Sequence, residues 1–261
     1  MSEVLLAVDG DAAQTADTEQ LARYLRVPLL TAAPDARFVL HRSTKRIALL
    51  DNHQPKMQAI TADFESGKAT HRRQYGGGKG QDFAKALGLR KFPDATIIDA
   101  TAGLGGDAFV MATLGCQVTM LERNPVVQIL LDDALRRADQ STDSEVQEIA
   151  QRMRLVQMSA LEYLETLRPE DYPQLIYLDP MFPERGKSAM VKKEMRVFQE
   201  LVGDDDDSAE LLPVARRRAM ERIIVKRPVR APLLADSEPD FQISGKTVRY
   251  DVYLGCRHSA D

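Results

Sequence analysis

Two stretches of the chain combine residue types that can do chemistry. The first is Ile97-Ile98-Asp99-Ala100-Thr101-Ala102-Gly103-Leu104-Gly105-Gly106-Asp107, where an apolar run ends in a carboxylate and gives way to glycines. Glycine lets the backbone turn and lets a ligand come close, and N–H groups opening a helix attract bound groups. The second is Asp179-Pro180-Met181-Phe182-Pro183, directly after the apolar run Leu175 to Leu178. Prolines force an extended or turned backbone, so one reading of it is a plain strand-ending turn. The residue types also suit a purine amine, a weak nucleophile because its lone pair is delocalised. Such an amine must be oriented, and its hydrogens must be accepted. Asp179 and the carbonyl of Pro180 supply two acceptors, and Phe182 offers a face for an unstacked base. Asp179, Pro180 and Phe182 are therefore the candidate catalytic residues.

In a doubly wound sheet, ligands bind beyond the carboxyl ends of the strands. Both stretches follow predicted strands, so both face one crevice. Glu122 ends the next predicted strand, about 20 positions past the glycines, where a carboxylate accepts both hydroxyl hydrogens of an adenosine ribose. This implies adenosine but not the rest of the cofactor. Gly103, Gly105 and Ala108 also satisfy a dinucleotide fingerprint, which leaves a nicotinamide oxidoreductase open. Asp99 and Asp107 shift the balance, because a pyrophosphate disfavours carboxylates at the helix opening. A zwitterionic sulfonium cofactor, S-adenosylmethionine, tolerates both, and Asp99 is placed to receive its ammonium group. Ser159-Ala160 follows the third strand and can reach an adenine edge, although Ser159 and Glu162 equally form a capping box. Methyl transfer from a sulfonium needs no metal. His41, His53, His71 and His258 are scattered without ligand spacing, and no metal site is predicted.

The elements that must position these residues read as strand-helix alternation, the pattern of a Rossmann-like doubly wound α/β fold. Predicted buried strands are Ala95 to Ile98, Gln117 to Leu121, Arg154 to Gln157, Leu175 to Leu178 and Ile223 to Val225. Helices are predicted at Asp107 to Leu114, Pro125 to Arg137, Ser159 to Leu167, Ser188 to Leu201 and Ser208 to Arg222. Gln242 to Ser244 and Val248 to Leu254 flank Gly245-Lys246 as a closing hairpin. Before residue 70 the chain reads as a small α/β unit: a strand from Val4 to Val8, a helix from Thr18 to Leu25, and a strand pair at Phe38 to Leu40 and Ile47 to Leu50. The cluster Tyr75-Gly76-Gly77-Gly78-Lys79-Gly80 marks its end, giving an amino-terminal unit over 1–70 and a main domain over 71–261. That cluster suits a linker or a lid equally. Asp204-Asp205-Asp206-Asp207 reads as a solvated loop.

Hydrophobic content of 44% and charged content of 28% belong to an ordinary globular protein. No apolar run approaches the roughly 20 residues of a spanning helix, so a cytoplasmic location is expected, with reduced Cys116 and Cys256. A net charge of −4 argues against indiscriminate nucleic-acid binding, so local basic patches must carry any such role. His71-Arg72-Arg73 with Lys79 is one, and Lys187, Lys192, Lys193 and Arg196, directly after the chemical motif, are another. Arg216-Arg217-Arg218, running on to Lys226-Arg227 and Arg230, reads as a solvated helix face.

Asp179-Pro180-Met181-Phe182 resembles the Asp/Asn-Pro-Pro-Tyr/Phe signature of base-amine methyltransferases, with Met181 in place of the second proline. Arg72 to Gly78, Asp99 to Asp107, Leu121-Glu122-Arg123-Asn124-Pro125, and Tyr177 to Pro183 with Lys187 to Val202 are similar to the RsmJ family. Its members are bacterial methyltransferases of guanine N2 at position 1516 of 16S ribosomal RNA. The resemblance implies S-adenosylmethionine as cofactor and 16S ribosomal RNA or the small ribosomal subunit as partner, with no membrane. Carried over by motif, it places cofactor contacts at Gly106-Asp107, Glu122-Arg123, Ser159-Ala160 and Asp179. Asp99, Gly103 and Gly105 join them from the loop itself, and Arg72, Arg73, Tyr75, Lys79, Lys187, Lys192, Lys193 and Arg196 are the candidate RNA contacts. A base-amine methyltransferase with another nucleic-acid target and a non-catalytic RNA-binding module on the same fold are the remaining alternatives.

Overall fold

A computed structural model describes residues 5–65, 81–180, 200 and 208–258. Two sheets organise them. The smaller joins β1 (Leu6–Gly10), β2 (Phe38–Arg42) and β3 (Ile47–Asp51), with β1 parallel and β3 antiparallel to β2, and α1 (Thr15–Leu25) crossing between the first two strands. The larger has seven strands. Its parallel part comprises β4 (Thr96–Asp99), β5 (Gln117–Glu122), β6 (Met153–Gln157), β7 (Leu175–Leu178) and β8 (Arg222–Pro228). β9 (Phe241–Ser244) and β10 (Val248–Leu254) close it as an antiparallel hairpin, with β10 beside β8. The order β6-β5-β4-β7-β8-β10-β9 reverses direction at β4, so the crevice between the carboxyl ends of β4 and β7 is the topological switch point.

The predicted strands and the hairpin are all present, with small changes at their ends. Helices α3 (Gly106–Thr113), α4 (Pro125–Asp139), α6 (Ala160–Thr166) and α7 (Ser208–Arg218) also stand where periodicity places them. Apart from Glu200, which is helical, the predicted helix over Ser188 to Leu201 lies outside the described residues, as does the loop Asp204 to Asp207. Two short helices were not anticipated, α2 (Asp82–Leu87) and α5 (Ser144–Ala150). Each carries a local signal: Gly88 takes up φ +73° just past the end of α2, and Asp143 caps α5 by accepting from the Glu145 N–H.

Period-two alternation sorts the strand side chains onto two faces. Ile97, Val118, Met120, Tyr177, Ile224 and Val252 pack with α2, α3, α4 and α5 in one cluster. Ile98, Leu121, Ile176, Leu178, Ile223, Val225 and Tyr253 pack with α6 and α7 in the other. The small sheet joins the first of these cores. Phe64 stacks on Phe109 at 5.1 Å between centroids, and buried Asp133 of α4 accepts from the Ile47 N–H and from Arg137, whose guanidinium also donates to the Ala62 carbonyl.

Candidate active site

The parity that sorts the core also builds the site. Asp99 shares the face of Ile97, Asp179 that of Tyr177, Lys226 that of Ile224 and Tyr250 that of Val252. β4 pairs β7 with Asp99 opposite Tyr177, β7 pairs β8 with Leu178 opposite Val225, and β10 pairs β8 with Tyr250 opposite Lys226. Four polar side chains are thereby delivered to one face at the switch point, beside the opening turn of α3.

That turn is shaped by its glycines. Gly103 and Gly105 adopt φ +52° and +74°, left-handed values that glycine reaches without strain, and Gly105 is the N-cap of α3. A side chain at Gly105 would collide with Leu131 and Phe64, whereas one at Gly103 would meet nothing within 4 Å among the described residues. Gly103 thus faces open space. Gly106 begins the helix and Asp107 lies in its first turn.

Asp107, Lys226 and Asp179 form one ionic bridge. Lys226 Nζ donates to Asp107 Oδ2 at 2.7 Å and to Asp179 Oδ2 at 2.8 Å, and the Tyr177 hydroxyl donates to the same Asp107 oxygen at 2.7 Å. Asp99 lies buried beside them, its Oδ1 accepting from the Thr101 N–H at 3.2 Å. Burial, and then the neighbouring charge of Asp107, push the Asp99 carboxyl up to about 8. Burial also raises Asp179, with Lys226 opposing that shift. Burial disfavours the Lys226 charge, but Asp107 and Asp179 outweigh it and hold the ammonium protonated. Burial and the two carboxylates raise Tyr177 well above its ordinary value, so it remains a hydrogen-bond donor. Tyr250, opposite Lys226 on the neighbouring strand, stacks on Phe83 at 5.4 Å, and burial pushes its hydroxyl up to about 12.

The other expected residues lie along the same sheet edge. Glu122 ends β5, buried, and accepts from the Asn124 N–H at 2.8 Å, with exposed Arg123 following it. Ser159 is the N-cap of α6, its hydroxyl accepting from the Glu162 N–H, and Ala160 is the first helical residue, so the capping reading of Ser159 is correct. Asp179 and buried Pro180 directly follow β7. Phe182, Arg72, Arg73, Tyr75, Lys79, Lys187, Lys192, Lys193 and Arg196 lie outside the described residues.

The basic run from Arg216 onward needs correction. It is not one solvated helix face, because α7 ends at Arg218, Lys226 and Arg227 belong to β8, and Arg230 lies in the turn after that strand. Arg218 donates to the Leu164 carbonyl and the Tyr172 hydroxyl, Arg227 is buried and donates to the Pro232 carbonyl, and Lys226 occupies the centre of the site. Lys226, Tyr177, Tyr250 and Thr101 are site residues that the sequence reading missed. Cys116 is buried and Cys256 is half-buried in a short 3-10 turn. Among the described residues no helix is long and apolar enough to cross a membrane, and no three His, Cys, Asp or Glu side chains gather as a metal site.

The family described as "Putative SAM-dependent methyltransferase" matches residues 23–255. The chain is 50% identical over 226 residues to ribosomal RNA small subunit methyltransferase J of Shewanella amazonensis, covering 86% of this chain and 90% of that protein. It is 46% identical over 255 residues to the protein of that name from Serratia proteamaculans, covering 97% and 99%. A crystal structure of a SAM-dependent methyltransferase from Neisseria gonorrhoeae superposes with a TM-score of 0.76 at 35% identity, covering 98% of this chain and 97% of that one. With these likenesses, the seven-stranded sheet and the carboxylate-lined switch point define an S-adenosylmethionine-dependent methyltransferase. The chain belongs to the ribosomal RNA small subunit methyltransferase J family. Membership removes the nicotinamide oxidoreductase left open by the glycine loop.

The donor set fits the cofactor. Asp107 and Asp179, with one ammonium group between them, leave a net negative charge beside the raised Asp99 carboxyl, so the site is suited to a ligand bearing an ammonium and a sulfonium. Open space above Gly103 gives that ligand access to the loop backbone.

Proposed function

We propose that the protein methylates the exocyclic N2 of guanine 1516 in 16S ribosomal RNA, acting in the cytoplasm on that RNA or on the small ribosomal subunit. The observation that carries this reading is the placement of Asp179. It follows β7 at the switch point, its backbone N–H donates to Thr101 Oγ1 at 2.6 Å, and its carboxylate is gripped by Lys226. Relatives that bear the small-subunit methyltransferase name at 46–50% identity supply the substrate class.

In this reading, Glu122 and Arg123 hold the adenosine ribose and Ser159-Ala160 border the adenine. The loop backbone at Gly103, Gly105 and Gly106, with Asp99, Asp107 and Asp179, receives the amino-acid end. The bound cofactor supplies an electrophilic methyl group on a sulfonium. Asp179 and the Pro180 carbonyl accept the two amine hydrogens and aim the nitrogen lone pair, while Phe182 stacks on the base. The amine nitrogen gains its new carbon bond as the carbon–sulfur bond breaks, the electron pair remaining on sulfur, and one N–H proton passes from the nitrogen by way of Asp179 to water. Arg72, Arg73, Tyr75, Lys79, Lys187, Lys192, Lys193 and Arg196 are assigned to the RNA backbone. The 1–70 unit, which has its own three-stranded sheet, is read as an addition to the catalytic domain over 71–261.

Small subunits from a host lacking the protein, treated with it and labelled cofactor, should gain one methyl group that mass spectrometry maps to N2 of guanine 1516. Asp179→Ala should abolish transfer while binding of S-adenosylhomocysteine stays measurable. Normal turnover by that variant would overturn the mechanism.

A further inference from the structure

The ammonium at the centre of the site has no part in the scheme above, yet its geometry is specific. Lys226 reaches from β8 and touches each carboxylate through a single oxygen, Oδ2 of Asp107 and Oδ2 of Asp179. The Tyr177 hydroxyl shares the Asp107 oxygen and fixes that side of the bridge. Oδ1 of Asp179 takes no part in it. The Asp179 backbone is separately anchored on Thr101, so both ends of this residue are held. A carboxylate gripped at one oxygen by a cation and presenting the other is arranged to accept from a donor on the open side.

We infer that Lys226 is a positioning residue for methyl transfer: as shared counter-ion of Asp107 and Asp179, it keeps Asp179 ionised and turns Oδ1 toward the target amine. This rests on the reading of Asp179 as acceptor from that amine. The proton released from the nitrogen passes to Oδ1 of Asp179 and from there to water. Lys226 retains its own proton throughout, because both carboxylates favour its charged form.

Among the described residues, the charged and titratable groups that act on Asp179 come from every neighbouring element. They are Asp99 of β4, Asp107 of α3, Tyr177 of β7, Lys226 and Arg227 of β8, and Tyr250 of β10. Lys226 and Arg227 favour the carboxylate, whereas burial and Asp107 disfavour it. The sign for each variant follows. Activity that needs ionised Asp179 is lost as pH falls through its pKa. Removing Lys226 raises that pKa and moves the acid limb up, and neutralising Asp107 lowers it and moves the limb down.

The test is the pH profile of kcat from about pH 5 to pH 9 at saturating cofactor and RNA. Lys226→Met should lower kcat by about tenfold or more near neutrality, recover part of the loss at high pH, and leave KM for RNA within a few-fold of the parent. Lys226→Arg should keep the parent limb. Asp107→Asn should shift the limb the opposite way from Lys226→Met. If Lys226→Met does not fold, as judged by its melting transition, the downward shift in Asp107→Asn decides alone. An unmoved limb, or limbs that move in the same direction, overturns the inference. Failure of the underlying amine reading is visible separately, as a parent enzyme that leaves guanine N2 unmethylated or an Asp179→Ala variant with full activity.

Discussion

The hydroxyl of Thr101 accepts a 2.6 Å hydrogen bond from the backbone N–H of Asp179, joining the loop after β4 to the first residue after β7. The Thr101 N–H in turn donates to Asp99. Thr101, 78 residues before Asp179, therefore couples the carboxylate at the cofactor loop to the carboxylate at the chemical motif.

Thr101→Val keeps the shape and removes the acceptor. The half-buried Asp179 N–H is then left unpaired, which costs about 1–3 kcal/mol. A lower Tm is expected, with kcat falling more than KM rises, and Thr101→Ser should restore both. Steady-state kinetics of the three proteins check this, and a valine variant with the parent kcat would show that the bond does not position Asp179.

Asp99 links stability to pH. Its carboxyl is raised to about 8 in the folded protein against 3.8 ordinarily. Between those values the folded state keeps a proton that the unfolded chain has lost, so stability falls as pH rises through the window and levels off above it. Asp99→Asn removes this dependence. Relative to the parent, its stability should be higher at pH 8 than at pH 5, by a few kcal/mol at most, and its Tm relative to the parent should rise accordingly. Equal differences at both pH values, in thermal melts, would contradict a raised Asp99.

The two left-handed glycines should respond differently. Gly105→Ala combines a strained φ of +74° with a Cβ placed 2.9 Å from Leu131 and from Phe64. It should destabilise the fold by roughly 2–4 kcal/mol, from strain and overpacking together. Gly103→Ala meets open space and should lose only about 1 kcal/mol. Because that methyl group enters the space proposed for the cofactor, Gly103→Ala should weaken binding of S-adenosylhomocysteine far more than it lowers Tm. Denaturant titration and calorimetry on the two variants separate these effects.

Glu122→Gln tests the proposed ribose contact. The substitution keeps the size and removes the charge that strengthens hydrogen bonds from two hydroxyls, each worth about 1.5–3 kcal/mol. Kd for S-adenosylhomocysteine should rise by roughly tenfold to several hundredfold. RNA binding should be unchanged in a filter assay without cofactor. An unaltered Kd would place the ribose elsewhere.

Much of the fold is local information. Leu175 to Leu178 is apolar at every position, as befits a strand buried on both faces, and the structure ends β7 at that residue. Asn124-Pro125 is a helix start by its own chemistry, and the Asn124 side chain caps α4 by accepting from the N–H groups of Val126 and Val127. The short helices α2 and α5 escaped because six or seven residues are too few for an apolar period to stand out, leaving only Gly88 and Asp143 as signals.

The sequence by itself determined the carboxylates Asp99, Glu122 and Asp179, because each closes or follows an apolar run and strand-end position follows from that run alone. Only the tertiary structure decided what Lys226 and Tyr177 do. Lys226 sits in a basic run that is equally legible as a helix surface, and Tyr177 lies inside a strand where an aromatic reads as core. Both acquire a role through strand pairing: the register of β7 against β8 sets Lys226 beside Asp179, and the packing of α3 on the sheet brings Asp107 to both. Side-chain parity is fixed within a strand, but which strand lies alongside, and in what register, is settled by burying two faces of one sheet at once.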